Sequence, residues 1–171
     1  MKKNVVLTGM MGVGKSTIGK SLAQKLSYRF FDIDRVIETK EGVSINRIFK
    51  NKSENYFRKL ENNISLKKLD ERNCVISLGG GAFLNRSIRR AVKNNAVSFW
   101  LDVDINELIN RLKKNKKRPL LYKKNLNIMV NKIYLERKKT YSEADYRIKC
   151  SFLRPEKIVE KILKLYEKPG N

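Results

Sequence analysis

The chain has 171 residues, 41% hydrophobic and 33% charged, a balance that predicts one globular domain over residues 1–171. It contains no histidine, which excludes the commonest general base and most transition-metal sites, so a catalytic base must be a carboxylate or a lysine. The formal net charge of +22 would suit a nucleic-acid binder, but the basic residues are scattered and lack the interleaved aromatic residues that stack on bases. We therefore expect a solvated basic surface that attracts anionic substrates, and no nucleic-acid partner.

Short apolar runs alternate with helical patterns along the chain, which predicts an α/β protein with a parallel sheet covered by helices on both faces. Strands are predicted for NVVLTG, RFFDID, CVISLGG, AVSFWLD and YRIKC. Helices are predicted for KSTIGKSLAQKLS, for residues 45–69, and for INELINRLKK, IMVNKIYLERKKTYSEA and PEKIVEKILKLYEK. The basic stretch at residues 113–125 has weak periodicity and a proline, which predicts a mobile loop.

The two cysteines, Cys74 and Cys150, border predicted strands, one at a strand start and the other at a strand end. In a parallel sheet these positions lie at opposite edges, so we expect two buried free thiols rather than a disulfide. No run approaches the ~18 apolar residues of a membrane span. The opening MKKNVVLTGMMG resembles a signal peptide only until GVGKS interrupts it. We expect a cytoplasmic protein with no membrane partner.

The first motif, GMMGVGKST, lies between the first predicted strand and the first predicted helix. Its spacing fits the phosphate-binding loop G-x-x-x-x-G-K-[ST]. In such a loop, backbone N–H groups converge on the phosphates, the lysine reaches the β- and γ-phosphates, and the serine hydroxyl ligates magnesium. We therefore predict ATP and Mg²⁺ as cofactors, with nucleotide contacts from Gly12, Val13, Gly14, Lys15, Ser16 and Thr17.

The second motif, FFDID, ends the second predicted strand. Strand alternation would place Asp32 and Asp34 on the same side, with Ile33 turned away. Two carboxylates near a triphosphate can divide the work, because one can hold hydrated magnesium while the other orients or deprotonates the attacking hydroxyl. An alternative role for Asp34 is to cap a helix over RVIETK, which would not exclude the chemistry.

Three later stretches contain further candidate residues. In YFRKLENN, Arg58 and Glu61 are spaced to form an ion pair on a helix. In KKRPLL, Arg118 lies where a lid cation would close on the γ-phosphate, and LERKKTYSEAD supplies Arg137 from a helix that returns to the site. The stretch LGGGAF would let backbone approach a ligand at the carboxyl edge of the sheet, through Gly79, Gly80 and Gly81.

The stretch NKSE resembles the guanine-reading N-K-x-D motif of GTPases but has Glu in place of Asp. It follows the helical pattern SINRIFK where a strand is required, and no D-x-x-G closes the third strand. The sequence therefore argues against a GTPase.

Taken in order, GMMGVGKST, FFDID, FRKLE, SLGGGAF, RPLL and ERKKTYSEAD resemble the shikimate kinase family over nearly the whole chain. The resemblance implies a three-layer P-loop fold like that of the nucleoside monophosphate kinases, with five parallel strands in the order 2-3-1-4-5. It also implies a substrate-binding segment at about residues 33–61, a lid at about residues 112–125, and a monomer. One departure is Ser53, which replaces the glycine of the family's usual Gly-Glu pair; another is the unusually basic lid.

The resemblance also implies a role for each candidate residue. Lys15, Asp34 and Arg118 would be catalytic, and Ser16 would hold magnesium together with Asp32, the latter through water. Arg111 would stack on adenine, and Arg154 would contact it from a loop. Shikimate would be held by Asp34, Arg58, Gly79, Gly80, Gly81 and Arg137.

The expected reaction is transfer of the γ-phosphoryl group of ATP to the 3-hydroxyl of shikimate, in the route to chorismate and aromatic amino acids. Arginines beyond the phosphate loop support an anionic acceptor, because unpaired charged donors in a desolvated pocket would be unfavourable. Two alternatives remain open. One is a kinase for another small anion, such as gluconate, or for a nucleoside monophosphate; the other is a nucleic-acid-binding ATPase.

Overall fold

The computed structural model describes residues 3–114 and 126–168. Its sheet consists of five parallel strands in the order β2-β3-β1-β4-β5, which confirms the expected topology. The strands are β1 (Asn4–Thr8), β2 (Arg29–Asp32), β3 (Cys74–Ser77), β4 (Ala96–Asp102) and β5 (Tyr146–Lys149).

Helices connect the strands and pack around the sheet. They are α1 (Lys15–Leu26), α2 (Ile33–Glu41), α3 (Ile45–Asn51), α4 (Glu54–Asp70), α5 (Arg86–Asn95), α6 (Ile105–Lys114), α7 (Leu126–Tyr141) and α8 (Pro155–Tyr166), with a short 3-10 helix at Ala82–Leu84. Within the described residues, no helix combines the length and apolar character needed to cross a bilayer.

The centre of the sheet forms the core. Every residue of β1, β3 and β4 is buried, as expected for parallel strands covered on both faces. Val5 of β1 pairs in register with Val75 and Val97 on either side. Cys74 and Cys150 are buried and free, as predicted, and burial raises the pKa of the Cys150 thiol to about 12.

Two predicted element boundaries are wrong. Strand β2 ends at Asp32, so the chain is already helical at Asp34 and strand alternation does not apply there. The single helix predicted over residues 45–69 is two helices, because Ser53 has extended backbone and its side chain accepts a hydrogen bond from the Tyr56 N–H at 3.1 Å. This N-cap starts α4 as a separate helix.

Helix α5 was not predicted from the sequence. Its sequence, RSIRRAVKNN, is highly charged, and only Ile88 and Val92 are buried. With so few apolar positions, its helical periodicity is easily overlooked.

The carboxyl ends of the three strands β1, β2 and β3 lie at one edge of the sheet. The N–H of Leu78 donates to the carbonyl of Leu7 at 3.0 Å, so the chain segments that leave β1 and β3 start side by side. Ligands of open parallel sheets bind outside this edge. The phosphate loop, the start of α2 and the triple glycine therefore meet where a ligand is expected.

Candidate active site

The phosphate loop occupies the turn between β1 and α1. The motif glycines Gly9 and Gly14 have φ values of +133° and +99°, and Gly12 between them has a φ of +81°. These left-handed conformations favour glycine at all three positions. Helix α1 begins at Lys15 with no acidic residue in its first turn. The start of α1 thus provides a partial positive charge and N–H groups of the kind that bind phosphate.

The Lys15 side chain folds back over the loop. Its Nζ donates hydrogen bonds to the carbonyl oxygens of Gly9 and Met10, both at 2.9 Å. The ammonium group is therefore held beside the phosphate-binding amides, where it can exchange carbonyl partners for phosphate oxygens.

Ser16 and Asp32 form the oxygen pair that could hold a metal ion. The Ser16 hydroxyl donates to Oδ2 of Asp32, while Oδ1 of Asp32 accepts from the Arg35 N–H at 3.4 Å and caps α2. The cap of α2 is thus Asp32, and the alternative cap role for Asp34 is wrong. The described residues contain no cluster of three or more metal-binding side chains. Hydroxyl and carboxylate oxygens fit Mg²⁺, which in kinases takes one or two protein ligands together with phosphates.

Asp34 lies in the first turn of α2 and reaches the triple glycine. A Cβ on Gly79 would lie 2.7 Å from Oδ1 of Asp34 and 2.6 Å from Oε1 of Glu61. A side chain at this position would force one of the two carboxylates to move. The structure therefore places Asp34 beside the backbone of Gly79. It does so from a helix, and not from the end of a strand as the sequence predicts.

Arg58 is held by two carboxylates of its own helix, α4. Its Nη1 lies 2.7 Å from Oε2 of Glu61, and its Nη2 lies 3.2 Å from Oε1 of Glu54. The Arg58 side chain is 36% exposed, whereas that of Glu61 is only 3% exposed. The buried Glu61 carboxylate thus holds one side of the Arg58 guanidinium, and the rest of the guanidinium stays accessible.

Burial raises the pKa of Glu61, and the nearby Asp34 carboxylate raises it further. The guanidinium groups of Arg58 and Arg137 lower this pKa only in part. Both arginines and Asp34 therefore act electrostatically on the same buried carboxylate. Each of the three side chains also lies against the triple glycine, so they surround a single site.

Each glycine of the triple approaches a different functional group. A Cβ on Gly81 would lie 2.6 Å from Nη1 of Arg58, and one on Gly80 would lie 3.4 Å from Nη1 of Arg137 and from the backbone nitrogen of Met11. The Nη1 of Arg137 also donates to the Gly80 carbonyl at 2.9 Å. The structure thus brings together all the residues predicted to hold the substrate: Asp34, Arg58, Gly79, Gly80, Gly81 and Arg137.

The other side of the phosphate loop is bordered by α6. Nη1 of Arg111 donates to the Val13 carbonyl at 3.4 Å, and Nη2 of Arg111 pairs with Oε1 of Glu107. The second oxygen of Glu107 accepts from the Phe152 N–H at 3.0 Å. This ties the segment before α8, which ends at the exposed Arg154, to α6 and the loop.

The predicted lid is described only at residues 112–114, which form the end of α6. Arg118 and the rest of the lid lie outside the described residues. The role predicted for Arg118 therefore stays a prediction.

The sequence matches the model of the shikimate kinase family over residues 11–167. The shikimate kinase of Sulfurihydrogenibium sp. (strain YO3AOP1) is 43% identical over 94% of this chain and 96% of its own length. The shikimate kinase of Persephonella marina is 42% identical over 94% of this chain and 97% of its own length. The chain belongs to the shikimate kinase family.

Solved structures give the same assignment. Shikimate kinase from Bacteroides thetaiotaomicron has a TM-score of 0.90 at 30% identity and covers 97% of this chain and 99% of its own. Shikimate kinase from Acinetobacter baumannii, in complex with shikimate, has a TM-score of 0.90 at 31% identity over 95% of this chain and 92% of its own. A gluconokinase from Sinorhizobium meliloti, with a TM-score of 0.61 at 16% identity, shares the fold alone.

This shikimate kinase family member contains two residues at the site to which the sequence analysis gave no role, Glu107 and Tyr141, the second of which lies within the ERKKTYSEAD motif. Tyr141 is fully buried at the end of α7, and its hydroxyl donates to the Gly80 carbonyl. Glu107 connects Arg111 to the Phe152 segment. The spacing of Glu107 and Arg111 on one helix was a usable signal, whereas nothing local in the sequence indicates the contact of Tyr141.

Proposed function

We propose that this member of the shikimate kinase family transfers the γ-phosphoryl group of ATP to the 3-hydroxyl of shikimate, releasing shikimate 3-phosphate and ADP. The observation that carries the proposal is the convergence of Arg58, Arg137 and Asp34 on the triple glycine, directly against the phosphate loop. A small acid that also carries a hydroxyl fits these groups, since the guanidiniums bind its carboxylate and Asp34 faces its hydroxyl.

On the donor side, the loop amides and Lys15 hold the phosphates and offset the charge that develops during transfer. Ser16 and Asp32 would hold Mg²⁺, which when bound neutralises phosphate charge. Arg118 is proposed to add a cation from the lid. Arg111 and Arg154 are proposed to contact adenine. Arg111 lies beside Val13 of the phosphate loop, and Glu107 links Arg111 to the backbone of Phe152, two residues before Arg154.

On the acceptor side, Asp34 orients or deprotonates the attacking hydroxyl. Arg58 and Arg137 bind the carboxylate and fix the ring, which aligns the hydroxyl with the γ-phosphorus. Gly79 leaves room for the Asp34 carboxylate to reach the shikimate ring, because a Cβ at position 79 would lie 2.7 Å from Oδ1 of Asp34. We further propose that the enzyme acts in the cytoplasm as a monomer without a nucleic-acid partner.

An acceptor panel tests this proposal against the closest alternatives. ADP release is measured with shikimate, gluconate and a set of nucleoside monophosphates at equal concentration. We expect a kcat/KM for shikimate at least about a hundredfold above that for any other acceptor, because a site built to pair a carboxylate and a hydroxyl together rejects compounds that misplace either one. Equal or better turnover of gluconate or of a nucleotide would replace the proposal with that activity.

A further inference from the structure

Tyr141 is a fully buried residue whose hydroxyl lies inside the proposed active site. The hydroxyl donates to the carbonyl oxygen of Gly80, and Sδ of Met10 in the phosphate loop lies 4.0 Å away. Its ring packs against the ring of Trp100 in the central sheet, with 6.0 Å between the two ring centroids. The tyrosine therefore contacts the glycine segment and the phosphate loop from a rigid support.

Gly80 is the point at which the donor and acceptor sides meet. A Cβ on it would lie 3.4 Å from the Met11 nitrogen and 3.8 Å from the Gly9 carbonyl oxygen. The Gly80 carbonyl accepts two hydrogen bonds from α7, one from Arg137 and one from Tyr141. The position of this one peptide thus depends on both side chains.

We propose that Tyr141 is a positioning residue for phosphoryl transfer, which holds the Gly80 peptide against the phosphate loop and frees Arg137 to bind the acceptor's carboxylate. This inference rests on the proposed function. When Arg137 turns its N–H groups toward a carboxylate, the Gly80 carbonyl keeps a partner in the tyrosine hydroxyl. Without that hydroxyl, the Gly80 carbonyl would depend on Arg137 alone, and turning Nη1 of Arg137 toward the substrate would leave this partly buried carbonyl without its donor.

The chemistry of the hydroxyl suits this role. Burial raises the pKa of Tyr141, and the nearby Arg137 only partly lowers it. The hydroxyl therefore remains a protonated donor throughout the physiological pH range. A phenylalanine at this position would fill the same space and remove only the donor.

The test compares Tyr141→Phe with Tyr134→Phe, a matched control on the same helix. Tyr134 is also buried, but its hydroxyl donates to Oδ1 of Asp102, at 3.2 Å. Both variants lose one buried hydrogen bond, so a loss of thermal stability does not separate them. We expect Tyr141→Phe to raise the shikimate KM about threefold to tenfold, with the ATP KM changed less than about twofold, and Tyr134→Phe to change neither.

A second measurement keeps the test independent of folding yield. Shikimate affinity is measured by calorimetry for wild type, Tyr141→Phe, Arg137→Lys and the double variant, each checked for native circular dichroism. A positioning role predicts that the two losses are not additive, since both act through Gly80. Additive losses, or an unchanged shikimate KM in folded Tyr141→Phe, would overturn the inference. A wild-type protein that does not phosphorylate shikimate would instead overturn the proposed function.

Discussion

At the scale of single residues, the buried Glu61 determines how Arg58 is presented. Its side chain is 3% exposed and pairs with Arg58 at 2.7 Å. A buried carboxylate is unfavourable as an ion unless a positive charge stays beside it, and here the Arg58 guanidinium supplies that charge. The pair therefore acts as a support that fixes the direction of Arg58, and its value to the enzyme lies in orientation more than in stability.

This support predicts a pH dependence of shikimate binding. Because burial raises the pKa of Glu61, the carboxylate takes up a proton at a higher pH than an exposed glutamate. Arg58 then loses the buried one of its two carboxylate partners and keeps only the exposed Glu54. We expect the shikimate KM to rise as the pH falls from neutral, before ordinary glutamates are protonated. Steady-state KM values across this range provide the measurement.

Glu61→Gln is the matched variant for that experiment. It should show a raised shikimate KM at every pH and should lack the acid-dependent increase. An identical pH profile in wild type and Glu61→Gln would show that Glu61 does not control Arg58.

Arg58→Ala removes one of the two guanidinium groups proposed to bind the carboxylate. A charged hydrogen bond is worth about 1.5–3 kcal/mol, so the shikimate KM should rise by about tenfold to a hundredfold, with the ATP affinity nearly unchanged. Arg47→Ala, on the exposed face of the neighbouring α3, is the control and should leave both unchanged. If Arg58→Ala left the shikimate KM unchanged, Arg58 would have no place in the site.

At the scale of elements, the break between α3 and α4 sets the position of Arg58. Ser53 caps α4, and the first turn of α4 contains Glu54, which pairs with Arg58 at 3.2 Å. Ser44 caps α3 in the same way, through the Arg47 N–H at 3.4 Å. The two serines thus have the same local role, but only Ser53 caps the helix that contains Glu54 and Arg58.

Replacing each cap separates helix stability from site geometry. Ser53→Ala and Ser44→Ala should each lower the free energy of unfolding by about 1 kcal/mol in urea titrations. Only Ser53→Ala should also raise the shikimate KM, because fraying at the start of α4 releases Glu54. Equal effects of the two variants on KM would contradict a link between this cap and the site.

The sequence predicted the parts of the site that depend on local spacing. The phosphate loop is such a case, because its motif residues are consecutive in the chain and form the loop by themselves. Asp34 was assigned to the site for the wrong reason, because the chain becomes helical at Ile33 and the alternation of a strand no longer applies. Tyr141 could not be predicted, because its partner Gly80 is 61 residues away in the chain.

The order of the strands followed from the family resemblance and not from any pattern in the residues. Alternating strands and helices predict a parallel sheet, but they leave the order of its strands open. The division of the helix predicted over residues 45–69 has a local cause in the sequence, since Ser53, which departs from the family motif, caps α4. A serine followed directly by an acidic residue is the signal of a helix start, because serine caps helices and acidic residues are favoured in the first turn.

At the scale of the whole molecule, the formal net charge of +22 creates a positive field that attracts both anionic substrates. Salt shortens the range of this field, from about 10 Å at 0.1 M to about 3 Å at 1 M. We expect the KM values of ATP and shikimate to rise several-fold over that range while kcat changes little. Salt-independent KM values would show that the charge has no part in substrate capture.

The same charge separates an enzyme of small substrates from a nucleic-acid-dependent ATPase. Added RNA or DNA should compete weakly and lose its effect as salt increases, because scattered cations give only non-specific binding. Stimulation of ATP hydrolysis by RNA or DNA would support the nucleic-acid-dependent ATPase instead.

The most direct test of the account is to follow ADP release from ATP with and without shikimate and to identify the phosphorylated product. The account predicts that ADP forms at a substantial rate only when shikimate is present, with one shikimate 3-phosphate formed for each ADP. Equal rates of ADP release in both reactions, with no phosphorylated shikimate, would contradict it.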